Sequence, residues 1–202
     1  MKYFNYGDKE KEYLSNRDHV MRGLIEKYGH IEREVNPDPF SALVSSVVSQ
    51  QISTKAAITV ERRLVEKSGG LSANKLNCLT LEDIQECGLS FRKAGYIKGI
   101  AEAVIEGQID FESLKALSDE EIIQTLVGLK GVGKWTAEMM LIFSFGRENV
   151  LSFDDLGIRR GLESAYELAE VKKELHPYFR ELFSPYGTVA SLYLWKESAN
   201  RQ

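Results

Sequence analysis

Residues 126–155 read LVGLKGVGKWTAEMMLIFSFGRENVLSFDD, a glycine-punctuated turn that feeds an apolar helix and ends in paired carboxylates at the mouth of the next one. Gly131 and Gly133 flank Val132, so the backbone there can take positive φ and approach a ligand that any Cβ would push away. Residues 134–145 hold no proline or glycine and carry Trp135, Met139, Leu141, Ile142 and Phe145, the pattern of a buried helix. Upstream, Ser118 and Glu121 form an S-x-x-E capping box that starts a helix reaching about Val127, and Gly128 stands where a left-handed C-cap belongs. The local reading is helix, GxG hairpin, helix. The first N–H groups of the second helix have no internal partner and face the glycine turn, where a phosphate oxygen is a natural acceptor. A sequence-neutral grip on phosphate is one reading of the hairpin, and a plain tight turn between helices is the other.

The rest of the chain reads as helices too. Residues 8–28 place Leu14, Met21, Leu24, Ile25 and Tyr28 on one face and stop at Gly29. Residues 39–49 do likewise with Phe40, Leu43, Val44, Val47 and Val48, and Ser53 caps a helix that stops at Gly69. Further helices fit 81–86, 91–106, 111–117, 155–168, 172–183 and 186–199. No window alternates with period two between hairpin turns, so the fold class is all-α.

The 202 residues suffice to bury a core. No apolar run approaches the ~20 residues of a membrane span, and the first residues are too charged for a signal peptide, which predicts a cytoplasmic, nucleoid-associated protein. Two cysteines, Cys78 and Cys87, are too few for a disulfide framework, a zinc site or a four-cysteine iron–sulfur cluster. His19, His30 and His176 show no metal-ligand spacing, so neither a catalytic metal nor another cofactor is expected.

The pattern LxGxGxxTA followed by an acid at a helix start resembles the helix-hairpin-helix DNA glycosylase superfamily. Within it, SQQISTKAA at 49–57, GLSFRKAGYI at 88–97, GVGKWTA at 131–137, FDD at 153–155 and PYGTVASLYLW at 185–195 resemble the 3-methyladenine DNA glycosylase II branch, in family order and across about three quarters of the chain. The resemblance implies a central helical domain over 39–150 that holds the hairpin, a second helical domain formed by 1–38 with 151–202, and an active-site cleft between them. It implies a monomeric enzyme acting on double-stranded DNA that contains alkylated bases, with no nucleotide cofactor and no membrane partner.

A glycosidic bond to a stacked base is out of reach in an intact duplex, so such an enzyme rotates the nucleotide out and fills the gap. The loop at 49–52 matches the family's wedge-bearing turn. Gln51 falls at the intercalating position and Ile52 can share the task; on residues alone the loop reads as a linker whose amides cap neighbouring helices. Excision leaves positive charge on the sugar, which an ionised carboxylate stabilises. Alignment with the motif gives that role to Asp155 and leaves Asp154 as cap or neighbour; spacing alone allows either acid to be an N-cap. Trp135 and Trp195 match aromatic pocket positions that would stack on a cationic base, although each tryptophan taken alone reads as core. Met139 and Leu156 stand where relatives carry further pocket aromatics. Trp135 also occupies the position of the lysine that forms a Schiff base in the bifunctional branch, which implies a monofunctional enzyme.

Leu129, Lys130, Gly131, Val132, Gly133, Lys134 and Thr136 form the implied phosphate-binding hairpin, and the carbonyls of Leu129 and Val132 are positioned for a structural monovalent cation. The net charge of -4 is unusual for a DNA binder. Arg92, Lys93, Lys98, Lys130, Lys134, Arg159 and Arg160 nevertheless cluster around the blocks above, which predicts a modest positive footprint and moderate affinity for undamaged DNA. The reading of a different class is a non-catalytic helix-hairpin-helix protein that recognises damaged or bent DNA.

Overall fold

A computed structural model describes residues 2–200. Thirteen α-helices dominate these residues, joined by one short 3₁₀ turn and a two-stranded antiparallel ribbon of β1 (Lys2–Tyr3) and β2 (Glu34–Val35). The chain divides into two compact units, one within Met1–Val35 and Gly146–Gln202 and the other Asn36–Phe145. No helix among the described residues is long and apolar enough to cross a membrane.

The first unit contains the ribbon, α1 (Asp8–Arg17), α2 (His19–Tyr28), α11 (Leu156–Ala165), α12 (His176–Phe183) and α13 (Gly187–Ala199). Leu14, Met21, Ile158, Leu162, Phe179, Phe183, Val189 and Tyr193 form its core. A single helix was expected over 8–28, but the chain breaks at Asp18, which takes extended backbone angles. The reason is capping: the Asp18 carboxylate accepts the Met21 N–H at 2.7 Å and the Tyr166 hydroxyl at 2.7 Å, a partner remote in sequence. Residues 147–150 join this unit through α13. Thr188 Oγ1 donates to the Arg147 carbonyl at 2.6 Å and accepts the Val150 N–H at 3.0 Å.

The second unit runs α3 (Pro39–Ser49), α4 (Thr54–Ser68), α5 (Ala73–Asn77), α6 (Leu81–Glu86), α7 (Phe91–Ile105), α8 (Phe111–Leu114), α9 (Asp119–Val127) and α10 (Lys134–Phe143). Fully buried Leu43, Val47, Leu64, Leu76, Ile84, Ile97, Ile122 and Ile142 supply its core. The expected Ser118–Glu121 box closes the start of α9 from both sides, and Ser53 caps α4 through the Ala56 N–H. The short α5 was missed, because five residues with one buried leucine carry too little periodicity to register. The expected helices at 111–117, 155–168 and 172–183 are shorter, ending at Leu114, ending at Ala165 and opening with a 3₁₀ turn at Lys173–Leu175 respectively.

Candidate active site and DNA-binding elements

In the second unit, α9 and α10 are joined by a compact turn in which Leu129 N–H bonds the Leu126 carbonyl at 3.0 Å and Val132 N–H bonds the Leu129 carbonyl at 3.1 Å. Gly128 does not provide the left-handed cap expected of it: φ is -63° and ψ -21°, ordinary right-handed values. The reversal falls at Gly131, with φ +87°. A Cβ there would stand 2.2 Å from Cδ2 of Tyr96, so glycine is required for both torsion and space. Gly133 is the N-cap of α10 and has no side chain to occupy the first amides of that helix. That arrangement suits an anion. Lys130 and Lys134 are exposed beside it, with Lys134 Nζ 3.6 Å from Glu138. Val132 and Thr136 are buried, so any part they take in binding is through the backbone.

Expected as part of a buried helical face, Trp135 is instead 42% exposed. The buried positions of α10 are Thr136, Ala137, Glu138, Met140, Leu141 and Ile142, and Trp135 is not among them. Met139, one turn on from Trp135, is half-buried, and the two share a helix face.

The loop between α3 and α4 carries exposed Gln51 at φ +58°, one of two non-glycine residues with positive φ among the described residues. Such a conformation costs about 1–2 kcal/mol and persists where surrounding structure over-determines it. The restraints are visible. Gln50 Nε2 donates to the Gly131 carbonyl at 2.9 Å, and Lys93 Nζ donates to the Val48 carbonyl at 2.9 Å and to the Gln50 carbonyl. Burial pushes the Lys93 amine below its ordinary pKa. The loop is therefore tied to the glycine hairpin and to the start of α7. Gln50, Gln51, Ile52, Leu89, Ser90, Arg92 and Lys93 line a concavity of about 280 Å³.

Not every cation expected at a DNA surface is free for it. Lys93 is spent on the end of α3, and Lys98 Nζ donates to the Asn77 and Leu79 carbonyls, closing the end of α5. Their partners lie 19 to 45 residues away, beyond any local pattern.

In the first unit, Asp155 is the N-cap of α11, with Oδ1 accepting the Ile158 N–H at 2.9 Å. The cap is thus Asp155 itself, not Asp154, which is exposed in the preceding turn. Asp155 is half-buried, and its Oδ1 also accepts the indole N–H of Trp195 at 2.9 Å. Two N–H donors from different elements, the Ile158 amide and the Trp195 indole, thus meet at one oxygen. Leu156 follows with 51% of its surface exposed.

Sequence reasoning did not find the residues that seat this carboxylate. α11 crosses α13 closely because Gly157 and Gly161 face it: a Cβ at Gly161 would stand 2.2 Å from the Leu194 carbonyl oxygen, and one at Gly157 would stand 2.8 Å from Trp195 Cδ1. The signal was present as glycines four apart in LGIRRG, which share one helix face. Arg33, just before β2, has its guanidinium carbon 5.9 Å from the centre of the Trp195 ring.

One unit thus holds a capped carboxylate beside an indole, and the other a glycine hairpin with a strained loop. Residues 44–185 match the HhH-GPD superfamily of base excision DNA repair proteins. The chain belongs to that superfamily. It is a DNA glycosylase. Among its relatives is DNA-3-methyladenine glycosylase 1 of Schizosaccharomyces pombe, 34% identical over 94% of this chain and 87% of the relative. The crystal structure of a DNA-3-methyladenine glycosidase from Bacillus halodurans superposes with a TM-score of 0.89 at 37% identity, covering 99% of this chain and 94% of that one. The structure of the S. pombe 3-methyladenine DNA glycosylase in complex with abasic DNA superposes with a TM-score of 0.81 at 34% identity, over 93% of this chain and 95% of the other.

Proposed function

We propose that this superfamily member is a monofunctional DNA N-glycosylase of the 3-methyladenine glycosylase II type, which flips alkylated purines of the 3-methyladenine and 7-methylguanine kind out of duplex DNA and hydrolyses their N-glycosidic bonds. The observation that carries the reading is the double hold on Asp155 Oδ1 by the Ile158 amide and the Trp195 indole. A carboxylate kept in one orientation stabilises the oxocarbenium-like sugar and orients water without reorganising when charge develops. An N-alkylated purine is a cation and already a good leaving group, so the pocket needs electron-rich faces more than a strong general acid. Trp135, with Met139, and Leu156 provide surface for the base; Gln51 and Ile52 fill the gap in the stack. Residues 129–134 and the Thr136 amide hold phosphate, with the Leu129 and Val132 carbonyls available to a structural monovalent cation. The relatives' names, DNA-3-methyladenine glycosylase and glycosidase, support the substrate class. The enzyme acts as a monomer at the nucleoid.

Incubation with methylated duplex is expected to release free base with the wild type and none with Asp155→Asn, while both variants bind the duplex. Binding without release by the wild type identifies a non-catalytic recognition module instead. No borohydride-trapped covalent complex is expected, because tryptophan stands at position 135; a trapped complex would overturn the monofunctional assignment.

A further inference from the structure

The indole of Trp195 is engaged at its edge and over its face. Its N–H is directed at Asp155 Oδ1, and the Arg33 guanidinium lies over the ring. We propose that Trp195 is a positioning residue for the Asp155 carboxylate, seated by the Gly157–Gly161 ridge of α11, and that stacking on the cationic base falls mainly to Trp135. The inference rests on Asp155 being the carboxylate that meets the sugar cation.

A single cap bond leaves a carboxylate able to turn about its terminal torsion, which is broad. A second donor from a different helix removes that freedom, and hydrogen bonds to an ionised acceptor are the strong ones. Helix proximity makes the second donor possible: Gly157 gives the space that Trp195 Cδ1 and Asp155 Oδ1 share, since a Cβ there would be 2.8 Å from the first and 3.0 Å from the second. Finally, a guanidinium over one face of an indole opposes the approach of a second cation to the same ring. Trp135 presents 42% of its surface at the second position of α10.

Trp195→Phe retains an aromatic ring and removes the donor. Its affinity for a duplex carrying a methylated purine is expected to stay within about twofold of wild type, while single-turnover base release slows about tenfold. Gly157→Ala is expected to give the same split between binding and rate. Trp135→Ala is expected to do the reverse, losing affinity for the methylated over the unmodified duplex. Release by Trp195→Phe within twofold of wild type, a defect confined to affinity, or unchanged discrimination by Trp135→Ala each overturns the assignment.

An activity-independent readout comes from the two indole N–H resonances. That of Trp195, identified by its loss in Trp195→Phe, is expected to shift and exchange faster in Asp155→Ala; an unmoved resonance overturns the positioning contact. Wild-type release by Asp155→Asn would instead remove the catalytic reading of Asp155, and the resonance would still report on the contact.

Discussion

Gly131 combines φ of +87° with the Tyr96 ring lying where a side chain would begin, so an alanine there meets backbone strain and overpacking together. Gly131→Ala is expected to lower stability by roughly 2–4 kcal/mol in denaturant titration and to weaken DNA binding; a loss below about 0.5 kcal/mol would mean that the ring moves aside freely. That the hairpin needed a special glycine was legible in GVG, but which residue took the reversal was not. The deciding neighbour, Tyr96, comes from another helix. The same limit applies at Asp155, where a capping acid can be read from FDD before a helix, but the indole that shares its oxygen lies forty residues on.

Among the elements, α6 shows how local and remote partners combine at a helix start. Thr80 and Asp83 form a reciprocal capping box, and the Asp83 carboxylate also faces Lys67 from the end of α4 at 2.9 Å. The Lys67 ammonium, with the Thr80 amide and hydroxyl, pulls the Asp83 pKa down from 3.8 to about 2. A depressed carboxylate pKa stabilises the fold at pH above its unfolded value, and the contribution is lost as pH falls through the folded value. Melting temperature is therefore expected to fall on acidification from about pH 4 to pH 2, and less steeply in Asp83→Asn; equal slopes would remove Asp83 from the acid transition. The element joining α3 to α4 makes a second case. Its caps were legible in SQQIS, but the Gln50 bond to Gly131 was not, because it links blocks eighty-one residues apart. Gln50→Ala is expected to cost about 1 kcal/mol of stability and to reduce DNA affinity several-fold in titrations, through a loop less well held.

For the molecule as a whole, the helical class was readable because amphipathic runs and caps repeat through nearly every segment. Lengths and breaks were less so, since Asp18 interrupts a continuous apolar face for the sake of Tyr166, far along the chain. Charge behaves similarly. With a net charge of -4, and with Lys93 and Lys98 committed to helix ends, few cations remain for phosphate. The slope of log affinity against log salt for undamaged duplex is expected to be shallow, about -2 to -4; a slope steeper than about -6 would show a basic footprint far larger than these residues provide.

Trp135 stands at the second position of α10 with 42% of its surface open. More than half of the indole is nonetheless covered, so truncating it to alanine forfeits about 2–4 kcal/mol of burial, and the position holds best with a large apolar occupant. Natural drift at that codon is therefore channelled toward bulky replacements, which keep the helix start packed while changing the surface it turns to solvent.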